Sequence, residues 1–476
     1  MLHWHGPSTL GAPDLPQIPE VRSENGVASL TLRAALDARG RPAFFWHGEE
    51  IAPTIRVHPG DEIHVHYVNA LPEFCGLGMI SDSNLHFHGL TTSPKPPGDD
   101  VLTTLAAPHR TVDYVVRVRS SEPPGLYWYH PHAHGLANWE LGNGMAGAIV
   151  VEGIANVMPS LAGLRERVII LRDMPRDPSV AAAENPAVLR AEPVAKSKAQ
   201  TAQAHVRQPM EDDDFQGDTP CGVERDAQPT INGIPSATIA IAPGERQLWR
   251  ILNASGRRHY DLAMAGVRLQ LIGLDGYPMR PRDVRDVLVP PGGRAEVLVT
   301  GAPHPQLLLS RCYDAGPAGE KNPGVIFGEL VDDRGTEQTA HVAAPVHATA
   351  IRIYAPLAVH ATIRRTIRFQ EDAHGFALNG KRFSPASPPA IVAKAGTIEE
   401  WTLENNTDEV HVFHVHQVHF VDEAAHEWRD VVDVPARQKR KILVDFRDPV
   451  IRGTFLFHCH LTDHEDGGMM AKIQVL

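Results

Sequence analysis

Hydrophobic and polar residues alternate in short segments along the chain, and one such segment occurs three times. Each copy follows a glycine, alternates with the two-residue period of a half-buried β-strand, and ends on an asparagine nine residues after that glycine. Gly and Asn suit the turns at either end of a strand. The three copies run from Gly60 to Asn69, from Gly244 to Asn253 and from Gly396 to Asn405.

The distances between the copies predict three domains. Gly60 and Gly244 lie 184 residues apart, and Gly244 and Gly396 lie 152 apart, which is the size of a domain and not of a short repeat. The 39 Gly and 40 Pro residues also favour many short strands over long helices. We therefore expect an all-β chain of three β-sandwich domains, over residues 1–155, 156–335 and 336–476.

Composition narrows the range of partners. Of 476 residues, 42% are hydrophobic, so each domain can bury a core, and the net charge of −12 argues against nucleic acid or an anionic membrane as the main partner. No apolar run reaches the roughly 18 residues of a transmembrane helix. The start of the chain has no signal-peptide pattern, so we expect either an exported protein (periplasmic or extracellular) given without its leader or a cytoplasmic one. Residues 175–217, with their acidic run, are interpreted as a surface excursion.

The chain has 27 His and only four Cys, and ten histidines fall in four clusters. Two clusters lie in the first domain and two in the third, whereas the second domain carries no comparable cluster. The ten are His86, His88, His130, His132, His411, His414, His416, His458, His460 and His464.

The spacing within these clusters predicts two metal centres. Residues two apart on a strand point to the same face, so four pairs of histidines can direct eight imidazoles at one place, a donor set suited to copper or other borderline metals. Cys459 lies between His458 and His460 and faces the other way. With His411 and His464 it forms the thiolate and two-imidazole set of a blue-copper site.

These motifs resemble a known family. The segment from Gly453 to Met469, with His458-Cys459-His460 and His464, is similar to the C-terminal signature of multicopper oxidases, which include laccases, bilirubin oxidases and bacterial cuprous oxidases. The other clusters match the remaining family motifs in order, and the three strand repeats match its three cupredoxin-like Greek-key domains. The resemblance covers nearly the whole chain.

The resemblance implies four copper ions and a ligand set. A type 1 copper would be bound by His411, Cys459, His464 and the weak axial ligand Met469, and a type 2 copper by His86 and His414. A type 3 pair would be bound by His88, His130 and His460 on one ion and by His132, His416 and His458 on the other. In the family, acidic residues at places similar to Glu465 and Asp99 assist proton delivery, although Asp100 competes with Asp99 for that role.

The expected function is that of a laccase-like multicopper oxidase. It would oxidise a small phenolic or aromatic-amine donor near His464, pass electrons through Cys459 and reduce dioxygen to water, and we expect a monomer. A cuprous or ferrous ion oxidase is the main alternative, although the ten methionines are scattered and form no methionine-rich insertion. A copper nitrite reductase and an inactive scaffold are further alternatives, both disfavoured by the complete set of ligands.

Some family members have a disulfide at places similar to Cys221 and Cys312, which would leave Cys75 as a lone thiol. Such a bridge would favour an oxidising location. Several histidines are set aside as surface residues or as neighbours of ligands: His3, His5, His64, His66, His134 and His419.

Overall fold

The computed structural model describes residues 12–176, 221, 227–332 and 361–476, apart from positions 76, 265, 266, 268 and 374. His3, His5 and residues 177–217 of the predicted surface excursion lie outside these described residues. Over the described ranges the chain forms three sandwiches, each built from two β-sheets around its own apolar core. The expectation of an all-β chain of three sandwiches is confirmed.

The first sandwich has sheets of five and four strands, in the orders β1-β4-β9-β8-β6 and β3-β2-β5-β7. Its strands are β1 (Glu20–Arg22), β2 (Val27–Leu36), β3 (Pro42–Phe45), β4 (Thr54–Val57), β5 (Glu62–Asn69), β6 (His86–His88), β7 (Thr111–Arg117), β8 (Gly125–His130) and β9 (Gly147–Val151).

The second sandwich has sheets of six and five strands, in the orders β11-β10-β13-β18-β15-β16 and β12-β22-β19-β14-β17. Its strands are β10 (Arg165–Pro175), β11 (Ala227–Ile231), β12 (Ala237–Ala240), β13 (Arg246–Asn253), β14 (Tyr260–Met264), β15 (Leu269–Leu274), β16 (Tyr277–Val284), β17 (Asp286–Val289), β18 (Arg294–Thr300), β19 (Gln306–Arg311) and β22 (Val325–Val331), with β20 (Tyr313–Asp314) and β21 (Lys321–Asn322) as a separate hairpin.

The third sandwich repeats the arrangement of the second, with orders β24-β23-β26-β31-β28-β29 and β25-β33-β32-β27-β30. Its strands are β23 (Ile363–Asp372), β24 (Gly375–Leu378), β25 (Ile391–Ala393), β26 (Ile398–Asn405), β27 (His411–Val415), β28 (Phe420–Asp422), β29 (Glu427–Arg429), β30 (Val431–Val434), β31 (Lys439–Asp445), β32 (Gly453–Cys459) and β33 (Met470–Val475).

The three sequence repeats occupy the same place in each sandwich. They form β5, β13 and β26, and each lies between a parallel neighbour and an antiparallel one. The glycines before them have φ of +102°, +79° and +89°, which explains why glycine is needed at each turn. The repeat is therefore structural: it builds the central strand of one sheet in every sandwich.

Helices are short in the described residues, namely α1 (Ala137–Glu140), α2 (Ile154–Val157) and α3 (Thr462–Asp466), with 3₁₀ turns at Leu141–Asn143, Pro159–Leu161 and Pro449–Ile451. A search of these residues finds no helix with the length and apolar character needed to cross a membrane. The predicted boundary at 155/156 falls inside α2, and the one at 335/336 lies outside the described residues, so both boundaries stay predictions.

A disulfide joins Cys221 and Cys312, whose Cα atoms are 5.8 Å apart and which are separated by 91 residues of sequence. Cys75 is a buried free thiol. Both predictions drawn from the resemblance for these cysteines are confirmed.

Candidate metal centres

Four strands bring the histidine clusters together at the junction of the first and third sandwiches. In the first, β6 carries His86 and His88 and pairs with β8, so that His86 lies opposite His130. In the third, His414 on β27 lies opposite His458 on β32. Since antiparallel pairing aligns the ends of neighbouring strands, each sandwich presents four imidazoles at one edge.

The two sets of four imidazoles meet face to face. His86 stacks on His416 and His88 stacks on His414, with ring centroids 3.8 Å apart in both pairs. Each stack joins a residue of the first sandwich to a residue of the third. All eight side chains are almost completely buried.

The ring nitrogens of these eight histidines form three groups, the first two sharing His88, and in each group three nitrogens lie within 4.8 Å of one another. The groups are His86, His88 and His414; His88, His130 and His460; and His132, His416 and His458. In the last group, Nε2 of His458 lies 3.2 Å from Nε2 of His132 and from Nε2 of His416. Two nitrogens bound to one metal ion, each by a bond of about 2 Å, are separated by about this distance.

A fourth group lies on the opposite face of β32. Nδ1 of His411 is 3.1 Å from Nδ1 of His464, and Sγ of Cys459 is 3.7 Å from both nitrogens. Met469 is fully buried in the same core, and its backbone carbonyl accepts a hydrogen bond from the Cys459 N–H. The alternation of side chains along β32 therefore directs Cys459 to the group with His411 and His464, and His458 to the group of eight imidazoles.

Burial favours the neutral form of the ten clustered histidines. Burial lowers the pKa of all ten imidazoles: to about 4 for His132 and His458, to about 3 for His464, and in the same direction for the others. A neutral imidazole keeps a lone pair with which it can bind a metal ion. Burial raises the pKa of the Cys459 thiol, so a bound cation is needed to favour the thiolate.

Hydrogen bonds to one ring nitrogen leave the other nitrogen free for a metal. Nδ1 of His86 pairs with Asp99, Nδ1 of His130 with a backbone carbonyl, and Nδ1 of His414 with the Asp430 carbonyl. In each of these rings Nε2 is buried without a hydrogen-bond partner. Unpartnered buried nitrogens are costly unless a metal is bound, so the donor set fits copper.

Asp99 lies between the two sandwiches. Its carboxylate pairs with His86 Nδ1 at 2.9 Å and accepts hydrogen bonds from the Phe87 N–H and from Nε2 of Gln417. Burial raises the pKa of Asp99 to about 8, although these N–H groups lower it. Asp100 instead accepts from the N–H groups of Leu102 and Thr103 in a local turn, so Asp99 is the carboxylate that reaches the histidines.

Glu465 turns away from the sulfur-containing group, although it follows His464 directly. Its carboxylate oxygens lie 3.4 Å from Nε2 of His132 and 3.2 Å from Nδ1 of His458. Burial raises the pKa of Glu465, and the nearby His132 lowers it. The helix α3 produces this reversal, because successive residues on a helix point in different directions.

Glu409, which the sequence analysis did not single out, lies with a carboxylate oxygen 3.4 Å from Nε2 of His464. Burial raises the pKa of Glu409 to about 8, and the neighbouring carboxylates of Glu371, Asp463 and Glu320 raise it further. Phe376 stacks on the other side of the His464 ring, at 4.0 Å between centroids. No spacing rule connects these residues in the sequence.

Most of the histidines set aside lie apart from these groups. His64 and His66 are partly exposed and pair with Glu62 and Asp113. His134 makes an edge-to-face contact with Phe383, and His419 is buried with Nε2 3.5 Å from Asp430.

The fold and the site together define a class of copper oxidases. The chain has three β-sandwiches, a group of eight imidazoles between the first and the third, and an adjoining group of Cys459 with His411 and His464. Multicopper oxidase sequence profiles match residues 32–156, 195–311 and 356–476. The chain belongs to the multicopper oxidase family, and it is a laccase-like copper enzyme that oxidises a small-molecule donor with dioxygen as acceptor.

Known multicopper oxidases are similar to this chain in sequence and in structure over nearly its whole length. A Staphylococcus aureus multicopper oxidase is 23% identical over 95% of this chain and 90% of its own. A Bacillus subtilis laccase is 23% identical over 89% and 88%. Among solved structures, an Aquifex aeolicus McoA variant superposes with a TM-score of 0.74 at 21% identity, covering 98% of this chain and 100% of that one. A Campylobacter jejuni metallo-oxidase gives a TM-score of 0.73 at 20% identity, with coverage of 98% and 95%.

Proposed function

We propose that this oxidase takes electrons one at a time from phenols and aromatic amines at the edge of His464 and delivers them to dioxygen at the eight-imidazole group. The observation that carries the proposal is the position of Cys459. Its side chain belongs to one group, while its neighbours His458 and His460 belong to the other, so the two groups are joined through three consecutive residues.

The ligand assignment uses the four geometric groups, with His88 given to the type 3 pair alone and Met469 added to the group of Cys459. We assign type 1 copper to His411, Cys459, His464 and the axial Met469, type 2 copper to His86 and His414, and the type 3 pair to His88, His130 and His460 with His132, His416 and His458. Copper bound there would supply one-electron redox chemistry and the binding of dioxygen. The protein supplies imidazoles, a thiol and a buried setting around them.

Two carboxyl groups are assigned to proton delivery. Glu465 lies within 3.4 Å of two histidines of the type 3 pair, and Asp99 holds the type 2 ligand His86. Both side chains are almost completely buried, so each can hold a proton close to where dioxygen is reduced. Asp99 is favoured over Asp100 because Asp100 binds only its own turn.

Metal cations are the second candidate donors, and a specific observation favours them. Glu409 lies at the edge of His464 with the carboxylates of Glu320, Glu371 and Asp463 near it, although Arg257 pairs with Glu320 and Asp463. These acidic side chains would attract a cuprous or ferrous ion once Glu409 gives up the proton that its raised pKa favours. The Campylobacter jejuni relative at 20% identity is described as a metallo-oxidase, whereas an Ochrobactrum relative at 21% identity is described as having oxidase activity towards lignin model compounds, which are organic donors.

One experiment separates the two donor classes. The copper-loaded enzyme is assayed for kcat/KM with a phenol, an aromatic amine, cuprous ion and ferrous ion, as wild type and as Glu409→Gln. Glu404→Gln is the control, because Glu404 pairs with Arg368 and Lys439 on the outer face of the third sandwich. Phenol and amine oxidation that Glu409→Gln leaves within about twofold supports organic donors. A kcat/KM for a metal ion that exceeds the values for the phenol and the amine, and that falls about tenfold or more in Glu409→Gln but not in Glu404→Gln, supports metal cations as donors.

We also propose that the protein works as an exported monomer without a nucleic-acid or membrane partner. The disulfide favours an oxidising compartment, and the net charge of −12 disfavours phosphate-bearing partners. Sedimentation at several protein concentrations tests the monomer, and fractionation of the producing cells tests the location.

A further inference from the structure

Among the described residues, the second sandwich supplies no histidine to the metal groups, but one of its loops reaches them. The loop runs from Pro290 to Gly293, between β17 and β18. A Cβ added at Gly292 would lie 2.8–2.9 Å from three ring atoms of His460, so the loop backbone lies against that ring. With φ of +79°, Gly292 can make this approach where other residues would be strained.

Arg294 joins all three sandwiches. It lies at the start of β18 in the second, its Nε donates to the carbonyl of Leu126 in the first, and its Nη1 and Nη2 form a two-pronged ion pair with Asp430 in the third at 2.6 and 2.5 Å. The side chains of Arg294 and Asp430 are both fully buried. A planar guanidinium holds a carboxylate in one orientation more strictly than any other cationic side chain does.

Asp430 in turn holds one of the clustered histidines by a hydrogen bond and lies beside a second. Its backbone carbonyl accepts the hydrogen bond from Nδ1 of His414, at 2.9 Å, which leaves Nε2 free. One of its carboxylate oxygens lies 3.4 Å from Nε2 of His88. His88 and His414 are the two rings that stack on each other, one from each sandwich.

The space around this pair is closed. A Cβ at Gly89, directly after His88, would lie 2.5 Å from Arg294 Nη2 and 2.7 Å from Asp430 Oδ2. On the opposite side, Asp275 accepts hydrogen bonds from the Arg294 N–H and from Nε of Arg429. Arg294 and Asp430 therefore have one packed arrangement, and a shift in either moves the histidines they contact.

We propose that Arg294 is a positioning residue for the trinuclear copper cluster, which is the type 2 copper and the type 3 pair together. Through Asp430 it fixes His414 and closes the space beside His88, so a sandwich whose described residues supply no ligand sets the geometry of a centre shared by the other two. The inference rests on the ligand assignment above. Groups that position metal ligands affect metal affinity or activity by about 10- to 100-fold.

The test uses Arg294→Lys, which keeps the buried charge but loses the two-pronged geometry. Arg250→Lys is the matched control: Arg250 is also fully buried in the second sandwich and pairs with Glu296 and Glu166, with no contact to a clustered histidine. Copper content per chain, the type 2 signal in electron paramagnetic resonance and the type 1 blue absorption are measured on both variants and on wild type.

We expect Arg294→Lys to lose trinuclear copper to a chelator about tenfold faster and to change the type 2 signal, while the blue absorption stays as in wild type. Arg250→Lys should change neither signal. Wild-type copper retention and type 2 signal in Arg294→Lys would overturn the proposal, and so would an equal loss in Arg250→Lys.

If Arg294→Lys does not fold, the pair Arg294→Gln with Asp430→Asn replaces the buried charges by two amides and is judged by the same criteria. Failure of both Arg294 variants to fold, with Arg250→Lys folded and copper-loaded, would also overturn the proposal, because the role would then be structural. Wild-type protein that takes up no copper would contradict the proposed function instead, so the two failures are distinguishable.

Discussion

At the scale of single residues, Cys459 has two tasks that no other described residue combines. Its thiol belongs to the group with His411 and His464, and its backbone connects directly to two histidines of the other group. The alternation of a β-strand makes this possible, since His458 and His460 point to one side and the cysteine to the other.

Replacement of Cys459 by Ser should abolish the blue absorption and the oxidase activity, because a hydroxyl does not supply the soft thiolate ligand. The eight-imidazole group should still bind copper, because all of its ligands remain. Absorption spectra and copper analysis of the purified variant check both statements. Blue colour or full activity in Cys459→Ser would contradict the assignment of the type 1 site.

Glu465 should act in one half-reaction only. Glu465→Gln keeps the shape of the side chain but removes its titratable proton, so reoxidation by dioxygen should slow by about 10²-fold. Anaerobic reduction by the donor should be nearly unchanged, since the carboxylate faces His132 and His458 and not the donor edge.

Stopped-flow absorption at the blue band separates these two steps. Glu404→Gln on the outer face of the third sandwich serves as the control, with both steps at wild-type rates. Slower anaerobic reduction in Glu465→Gln, with reoxidation spared, would show that the proton-delivery role is wrong.

At the scale of elements, the repeat strands end in three asparagines with the same hydrogen bonds. The side-chain amides of Asn69, Asn253 and Asn405 each donate to two backbone carbonyls, and each side-chain oxygen accepts from the N–H two residues later. These bonds tie the end of each central strand to two neighbouring segments of its sandwich.

In the third sandwich this device also reaches the type 1 group. Asn405 accepts from the hydroxyl of Thr407, whose oxygen lies 2.9 Å from Nε2 of His411. Asn405→Ala and Asn253→Ala should each lower the free energy of unfolding, by about 1–3 kcal/mol, because buried carbonyls lose their donors. Only Asn405→Ala should also shift the blue absorption band.

Urea unfolding and absorption spectra of the two variants check this prediction. Since the two asparagines make matching bonds in different sandwiches, Asn253→Ala controls for the loss of stability alone. An equal spectral shift in both variants, or none in Asn405→Ala, would contradict the link to His411.

At the scale of the whole molecule, the metal groups lie between sandwiches that are far apart in sequence, so their geometry depends on how the sandwiches are held together. The ion pair of Arg294 and Asp430 is one connection, and Arg119 with Asp448 connects the first and third sandwiches directly. The disulfide between Cys221 and Cys312 stabilises the second sandwich itself. Arg294 of that sandwich contacts both the first and the third.

Removal of the disulfide by Cys221→Ser with Cys312→Ser should lower the free energy of unfolding by up to about 4–5 kcal/mol, because a loop of 91 residues is no longer closed in the unfolded chain. Urea unfolding of the copper-free proteins measures the difference. The native protein should also show no thiol reactive to a water-soluble reagent, since Cys75 is only 5% exposed. A Cys75 that reacts without denaturant, or equal stability of the two proteins, would contradict these expectations.

Much of the fold and of the candidate metal site could be predicted from the sequence, because short-range periodicity determines which way neighbouring side chains point. The repeat from Gly60 to Asn69 and its two copies predicted three sandwiches, and the pairs such as His458 and His460 predicted one imidazole face with Cys459 on the other. The ligand roles and the disulfide needed the family resemblance as well, because spacing along one strand does not say which other strand lies opposite.

Only the tertiary structure decided which carboxylate and arginine side chains lie next to the metal-binding histidines. Asp99 rather than Asp100 reaches His86, Glu409 lies at His464, and Arg294 reaches His414 through Asp430, although no spacing rule relates these residues. The physical reason is that an orienting contact depends on a side chain's reach and direction across the junction between separate sandwiches. Periodicity fixes directions within one element, whereas the packing of whole sheets decides what each direction meets.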